Sequence, residues 1–246
     1  MNHFTWCDLS TLDLAKATQF YSDAFGWAVA SSGARGDDST IFSAGSREAG
    51  AIYTMPEFFQ KIRMPSFWMS YVRVDSVSDS AVRAVALGAK CEIEPTPFDE
   101  SSQFALIRDP SGAGFTLYEG PELGGRDRKH RPGRMIANEL HVPDRALVEE
   151  FYRSLFGWDA VADRSYPGRY EFRAASGERI AALIEFDEAI KGPKNYWAVV
   201  FAVKNLKQTL QVTRDRGGQV LMPFDRDLGY AMLTDDQGAM FCVTES

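Results

Sequence analysis

The phrase FYSDAFGW at residues 20–27 returns as FYRSLFGW at residues 151–158, and this internal repetition constrains the fold more than any other feature of the 246-residue chain. The likeness extends outward. LDLAKATQFYSDAFGW matches PDRALVEEFYRSLFGW, aligning Asp13 with Asp144, Phe20 with Phe151 and Gly26 with Gly157. A segment written twice folds the same way twice, so the chain divides into two like halves.

Each copy reads as a capped amphipathic helix. A short strand pattern precedes Asp13 or Asp144, whose carboxylate suits the orphan backbone N–H groups of a first helical turn. Leu14, Ala17, Phe20, Tyr21, Ala24 and Phe25 then recur at helical spacing, as do Leu147, Val148, Phe151, Tyr152, Leu155 and Phe156. Gly26 and Gly157 stand where a left-handed residue ends a helix.

A second pair of copies lies downstream. FWMSYVRVD at 67–75 resembles YWAVVFAVK at 196–204, and each leads into an amphipathic helix, from about Ser78 to Leu87 and from about Leu206 to Arg214. The turns of DPSGAGFTLYE and DDQGAMFCVTE then close hairpins. The whole reads as four βαβββ units, with domains at 1–120 and 135–246. Between them GPELGGRDRKHRPGR lacks apolar periodicity and is expected to be a solvated connector, its Arg126, Arg128, Lys129, Arg131 and Arg134 included.

Composition excludes some functions. A formal charge of −7 opposes binding to phosphate backbones and anionic membranes, so a small molecule is the expected partner. No basic region leads into an apolar stretch at the start, so a cytoplasmic location is expected; separately, a monomer or homodimer is expected. Cys7, Cys91 and Cys242 form neither a disulfide framework nor a metal knuckle, and Cys91 reads as a small buried hydrophobe. His3 falls at an end expected to fray, and His130 in the connector.

Paired βαβββ units, the FY…FGW phrase after a capped helix and DPSGAGFTLYE near a domain end together resemble the vicinal-oxygen-chelate superfamily of glyoxalase I, bleomycin- and fosfomycin-resistance proteins and extradiol dioxygenases. The resemblance covers nearly the whole chain. It implies an α+β fold of two tandem glyoxalase-like domains, in which paired units curl into a cup that holds a small molecule. In metal-dependent members, His and Glu on the first and last strands of paired units hold a divalent ion.

Carried onto this chain, that pattern places ligand positions at Trp6, Met69 and Thr116 in the first half and at Ala137, Ala198 and Cys242 in the second, with a remaining position near Ile52 and Tyr53 or near Leu183 and Ile184 not fixed to one residue, Glu185 being the one carboxylate in those stretches. None of the assigned positions is His, Asp or Glu, so no metal or other cofactor is expected, with a divalent ion as the alternative. Strand alternation then adds neighbours on the same face: Asp8, Ser10, Tyr71, Arg73 and Tyr118 in the first half, Glu139, His141 and Thr244 in the second.

The expected ligand-binding set is therefore Trp6, Asp8, Met69, Tyr71, Arg73, Thr116 and Tyr118, suited to a planar polar molecule. Glu139 and His141 are candidate acid/base partners, and Asp8 with Tyr71 a second pair. Structural alternatives stand beside these: Trp6 and Met69 as core plugs, Asp8 with Arg73 as a strand-orienting ion pair, His141 as a satisfied internal group. Two functions remain open. One is a binding or sequestering protein for a planar or amphipathic metabolite or toxin. The other is a lyase, isomerase, dioxygenase or hydroxylase-like enzyme, either metal-free or with a displaced metal site drawing on Glu139, His141 and Glu185.

Overall fold

The computed structural model describes residues 2–32, 39–127 and 129–246, with the side chains of 30–32 left aside. Arg128 lies outside the described residues. Four βαβββ units follow one another. The first is β1 (His3–Thr11), α1 (Leu14–Phe25), β2 (Ala28–Ser32), β3 (Ser39–Ala44) and β4 (Arg47–Thr54), and a short α2 (Glu57–Lys61) leads to the second. That comprises β5 (Phe67–Arg73), α3 (Val77–Ala86), β6 (Lys90–Asp99), β7 (Ser102–Arg108) and β8 (Gly114–Glu119). The third is β9 (Arg134–Val142), α4 (Glu149–Phe156), β10 (Asp159–Ala162), β11 (Arg169–Arg173) and β12 (Arg179–Glu185), followed by a short α5 (Glu188–Lys191). The fourth is β13 (Tyr196–Val203), α6 (Leu206–Asp215), β14 (Gln219–Asp225), β15 (Tyr230–Thr234) and β16 (Met240–Glu245).

The strands form two eight-stranded mixed sheets, ordered β2-β3-β4-β1-β5-β8-β7-β6 and β10-β11-β12-β9-β13-β16-β15-β14. The identical order is the duplication made visible. Backbone packing nevertheless groups the chain across the repeats. One compact unit holds Met1–Thr5, Ser70–Leu123 and Asn138–Ala198; the other holds Trp6–Met69, Gly124–Ala137 and Val199–Ser246.

The repeated phrase explains this grouping. In the first unit Tyr152, on α4, donates its hydroxyl proton to Asp109 Oδ2 at 2.7 Å and accepts from Trp197 Nε1 at 2.8 Å. Asp109 opens the DPSG turn of the other repeat, and its Oδ1 accepts the backbone N–H groups of Ser111 and Ala113, both at 2.9 Å. In the second unit Tyr21 donates to Asp235 at 3.1 Å and accepts from Trp68 Nε1 at 3.0 Å. Each tyrosine thus ties a helix of one repeat to a turn of the other, inside a core of its own. Because every polar atom in the chain of three has a partner, burying it is tolerated.

Local predictions hold where short-range chemistry decides. Asp13 accepts from Lys16 N, and Gly26 and Gly157 end their helices at φ 68° and 71°. An L side chain is strained there, so Gly157→Ala is expected to cost about 1 kcal/mol in urea unfolding, although nothing would obstruct the added methyl group.

Other expectations are corrected. Asp144 caps only a 3-10 turn at Arg145–Leu147, so α4 starts later and Leu147 is exposed. The connector is not simply solvated: Asp127 is buried, accepts from Arg131 Nε at 2.6 Å, and Gly133 O accepts from Trp27 Nε1 at 2.8 Å. His3 lies in β1 at 2.8 Å from Glu122 instead of fraying. Cys91 is half-buried, whereas Cys7 is fully buried beside Leu9, where burial pushes its thiol up and away from nucleophilic use. Among the described residues no helix is long and apolar enough to cross a membrane.

Candidate functional site

Alternate residues of a strand point to opposite sides, so those that enter a core show which residues face away from it and from the long helices. On β5 and β8, Val72 and Leu117 enter the first unit's core. The opposite face then carries the register pairs Tyr71–Thr116 and Arg73–Tyr118. On β9, Leu140 enters the same core, which leaves Glu139 and His141 on the helix-free face against Ala182 and Ile184 of β12. In the second unit Cys7 and Leu9 are core, so Trp6, Asp8 and Ser10 face the other way. Phe241 and Val243 likewise leave Cys242 and Thr244 opposite the core.

The expected binding set is split between the units: Trp6, Asp8 and Met69 belong to the second, Tyr71, Arg73, Thr116 and Tyr118 to the first. Asp8 and Tyr71 are accordingly not members of one unit. Within the first unit the β5–β8 face forms an aromatic wall. Ring centroids run from Tyr71 to Tyr118 at 6.4 Å, from Tyr118 to Phe98 at 6.4 Å and from Phe98 to Phe104 at 5.8 Å, all edge to face. This is the geometry that ring quadrupoles favour. Arg73 stands alongside with its Nε donating to Gly120 O at 2.9 Å. Phe98 and Phe104 escaped the sequence analysis.

The β9–β12 face of the same unit is charged. Glu139 is buried and meets Arg169 Nη2 at 3.0 Å through Oε1, while its Oε2 lies 3.7 Å from His141 Nε2. Arg169 sits on β11, two strands away from β9. It pairs in register with Ile184, which stands opposite His141, and so reaches Glu139 diagonally across β12. His141 has no exposed surface, and burial lowers its pKa against the opposing pull of Glu139, so the imidazole is neutral. Phe186 and Tyr196 pack on it with centroids 4.9 and 5.2 Å away.

In the second unit Trp6, Asp8 and Ser10 are buried. The loss of water around Tyr53, with Asp8 close by, pushes its phenol well up, so it stays a neutral hydroxyl.

The trio Glu139, His141 and Glu185 is not assembled. Glu185 pairs in register with Val142, not His141, and therefore faces the opposite side of the sheet. There it accepts from the backbone N–H of Arg145 at 2.9 Å and from Tyr170 at 3.3 Å. Among the described residues no cluster of three or more His, Cys, Asp or Glu side chains is placed to hold a metal ion. The six positions given by the family pattern present indole, thioether, hydroxyl, two methyls and a thiol. Those groups do not fit a hard divalent cation, which needs about three imidazole or carboxylate donors.

The family model described as Glyoxalase/Bleomycin resistance protein/Dioxygenase superfamily matches residues 1–117 and again 137–243. The chain belongs to that superfamily. Among relatives within reach of sequence comparison, CFP32 of Mycobacterium tuberculosis (strain CDC 1551 / Oshkosh), which carries a provisional glyoxylase name, is 28% identical over 97% of this chain and 92% of its own. The anthracycline biosynthesis protein DnrV of Streptomyces peucetius is 27% identical over 98% of this chain and 92% of its own. Among solved superfamily structures, the Mn(II)-bound glyoxalase from Novosphingobium aromaticivorans aligns with a TM-score of 0.65 at 16% identity, covering 99% of this chain and 81% of that one. At that identity the likeness is one of fold.

Proposed function

We propose that this chain is a cytoplasmic small-molecule-binding member of the superfamily that holds a planar or amphipathic metabolite or toxin on the helix-free faces of its sheets, without the family's divalent ion. The carrying observation is the donor set at the six metal positions, which contains no imidazole or carboxylate. The aromatic wall supports a flat ligand, since stacked or edge-on rings gain from a planar partner. The name of DnrV fits this class: an anthracycline is a fused planar ring system. A monomer or homodimer with no nucleic-acid partner agrees with the chain's acidic balance.

A second reading, a metal-free acid/base enzyme of lyase, isomerase or hydroxylase type, is favoured by the neutral His141 beside the Glu139 carboxylate.

The test uses protein purified without a histidine tag. Metal analysis is expected to find well under one equivalent of manganese, iron, nickel or zinc; a tightly held equivalent overturns the metal-free reading. Anthraquinone-2-sulfonate, followed by quenching of tryptophan fluorescence, is expected to bind about tenfold more weakly to Tyr118→Ala than to the parent. Equal binding removes the aromatic wall from the site.

A further inference from the structure

Neither ring nitrogen of His141 makes a hydrogen bond among the described residues, and only Nε2 has a carboxylate near it. The Nε2 atom faces Glu139 Oε2 at 3.7 Å, so the carboxylate favours the proton on Nε2 and leaves the lone pair on Nδ1. Nδ1 has no hydrogen-bond partner among the described residues, although the side chain is fully buried. A buried acceptor without a donor carries a desolvation cost that nothing in the protein offsets. We infer that Nδ1 of His141 accepts a hydrogen bond from the hydroxyl of a phenol or enol, and that Arg169 is the positioning residue which, through Glu139, keeps that nitrogen a lone pair. This rests on the small-molecule reading proposed above and names its ligand class.

The class follows from the surroundings. The nitrogen calls for a donor, and Phe186 and Tyr196 offer ring faces and edges to a flat molecule. A cationic donor is disfavoured because the Lys191 ammonium already acts on the imidazole. The ligand O–H bond stays intact and its proton is shared with the Nδ1 lone pair, so the imidazole remains neutral.

The groups that set this balance come from several elements. They are Glu139 on β9, Arg169 on β11 with Asp163 at 3.8 Å, Lys191 on α5 and Tyr196 on β13. The 187–195 segment joins Phe186 to Tyr196. It is tied by the Lys191 ammonium, which donates to Gly192 O, Lys194 O and Asn195 Oδ1 at 2.8–3.1 Å.

Two measurements test the inference. In the first, 4-nitrophenol and its methyl ether, 4-nitroanisole, are titrated into the parent and into His141→Phe. The phenol is expected to bind the parent about tenfold more tightly than the ether. His141→Phe is expected to bind both alike. Equal binding of the two probes by the parent overturns the inference and leaves the small-molecule reading in place; binding of neither overturns both on this face.

In the second, nitrogen NMR of labelled histidine reads the His141 tautomer and titration in the ligand-free protein. The parent is expected to carry its proton on Nε2. Arg169→Met, which leaves the carboxylate to His141 alone, is expected to raise the pH at which His141 titrates, and Arg169→Lys to restore it. A proton on Nδ1 in the parent, or a titration unmoved by Arg169→Met, overturns the positioning role.

Discussion

Tyr152→Phe is expected to lose about 3 kcal/mol of unfolding free energy, measured by urea denaturation, while keeping the shape of the core. The ring stays, so no cavity term enters. What disappears is one hydroxyl that serves two buried neighbours. Trp197 Nε1–H loses its acceptor at 2.8 Å, and Asp109 Oδ2 loses its donor at 2.7 Å. Each orphaned group costs roughly 1–3 kcal/mol, more when it is charged, and Asp109 is already pushed toward its neutral form by burial. Tyr21→Phe repeats the experiment in the second unit, where the bond to Asp235 is longer, at 3.1 Å, and the loss should be the smaller of the two. Combining Tyr152→Phe with Asp109→Asn supplies the control. The neutral amide tolerates the missing donor better, so the two changes should cost less together than the sum of their separate costs, by about 1–2 kcal/mol. A Tyr152→Phe loss below 1 kcal/mol, or strict additivity with Asp109→Asn, would mean that the hydroxyl does not hold the two repeats together.

This bond also marks what could be read from the sequence and what could not. The helix, its cap at Gly157 and the buried face bearing Phe151, Tyr152 and Leu155 are local properties, encoded within a dozen residues. The placing of Tyr71, Thr116, Glu139 and His141 on helix-free faces is local too, because a strand alternates and Val72, Leu117 and Leu140 mark its other side. The partner of Tyr152 is 43 positions away in the other repeat, and no periodicity encodes that distance.

Arg169 was hidden for a related reason. It meets Glu139 diagonally across an intervening strand, so the contact depends on the register of three strands. Phe98 was obscured by β6, where the register shifts between Cys91 and Ile93, between Ile93 and Thr96, and between Pro97 and Asp99, so counting by twos fails. The side of the sheet that Glu185 faces depends on register alone. One residue of register separates a carboxylate beside His141 from one on the far side of the sheet, and the pairing with Val142 selects the latter.

The parent protein is expected to lose about 3 kcal/mol of stability between pH 4 and pH 7 that Asp235→Asn does not lose. Burial raises the Asp235 carboxyl from its ordinary value near 3.8 to about 6, against the opposing bonds from Ala239 N, Gln237 N and Tyr21. The folded chain therefore holds this proton more tightly than the unfolded chain does. Stability from the group is fully present below the unfolded value and falls as pH rises through the folded one, because in that window the unfolded state binds fewer protons. A difference of about two pH units corresponds to about 3 kcal/mol. An asparagine does not titrate, so the two stability curves converge at high pH or cross, with the parent the more stable near pH 4. Urea unfolding of both proteins at half-unit steps of pH isolates the effect, since Asp236 and every other carboxylate are common to the two. Parallel curves, or a parent that gains on the variant as pH rises, would show that the turn N–H groups outweigh burial and hold Asp235 as an anion. In that case Tyr21 would be bound to a full charge, and Tyr21→Phe would become the costlier of the two tyrosine replacements instead of the cheaper.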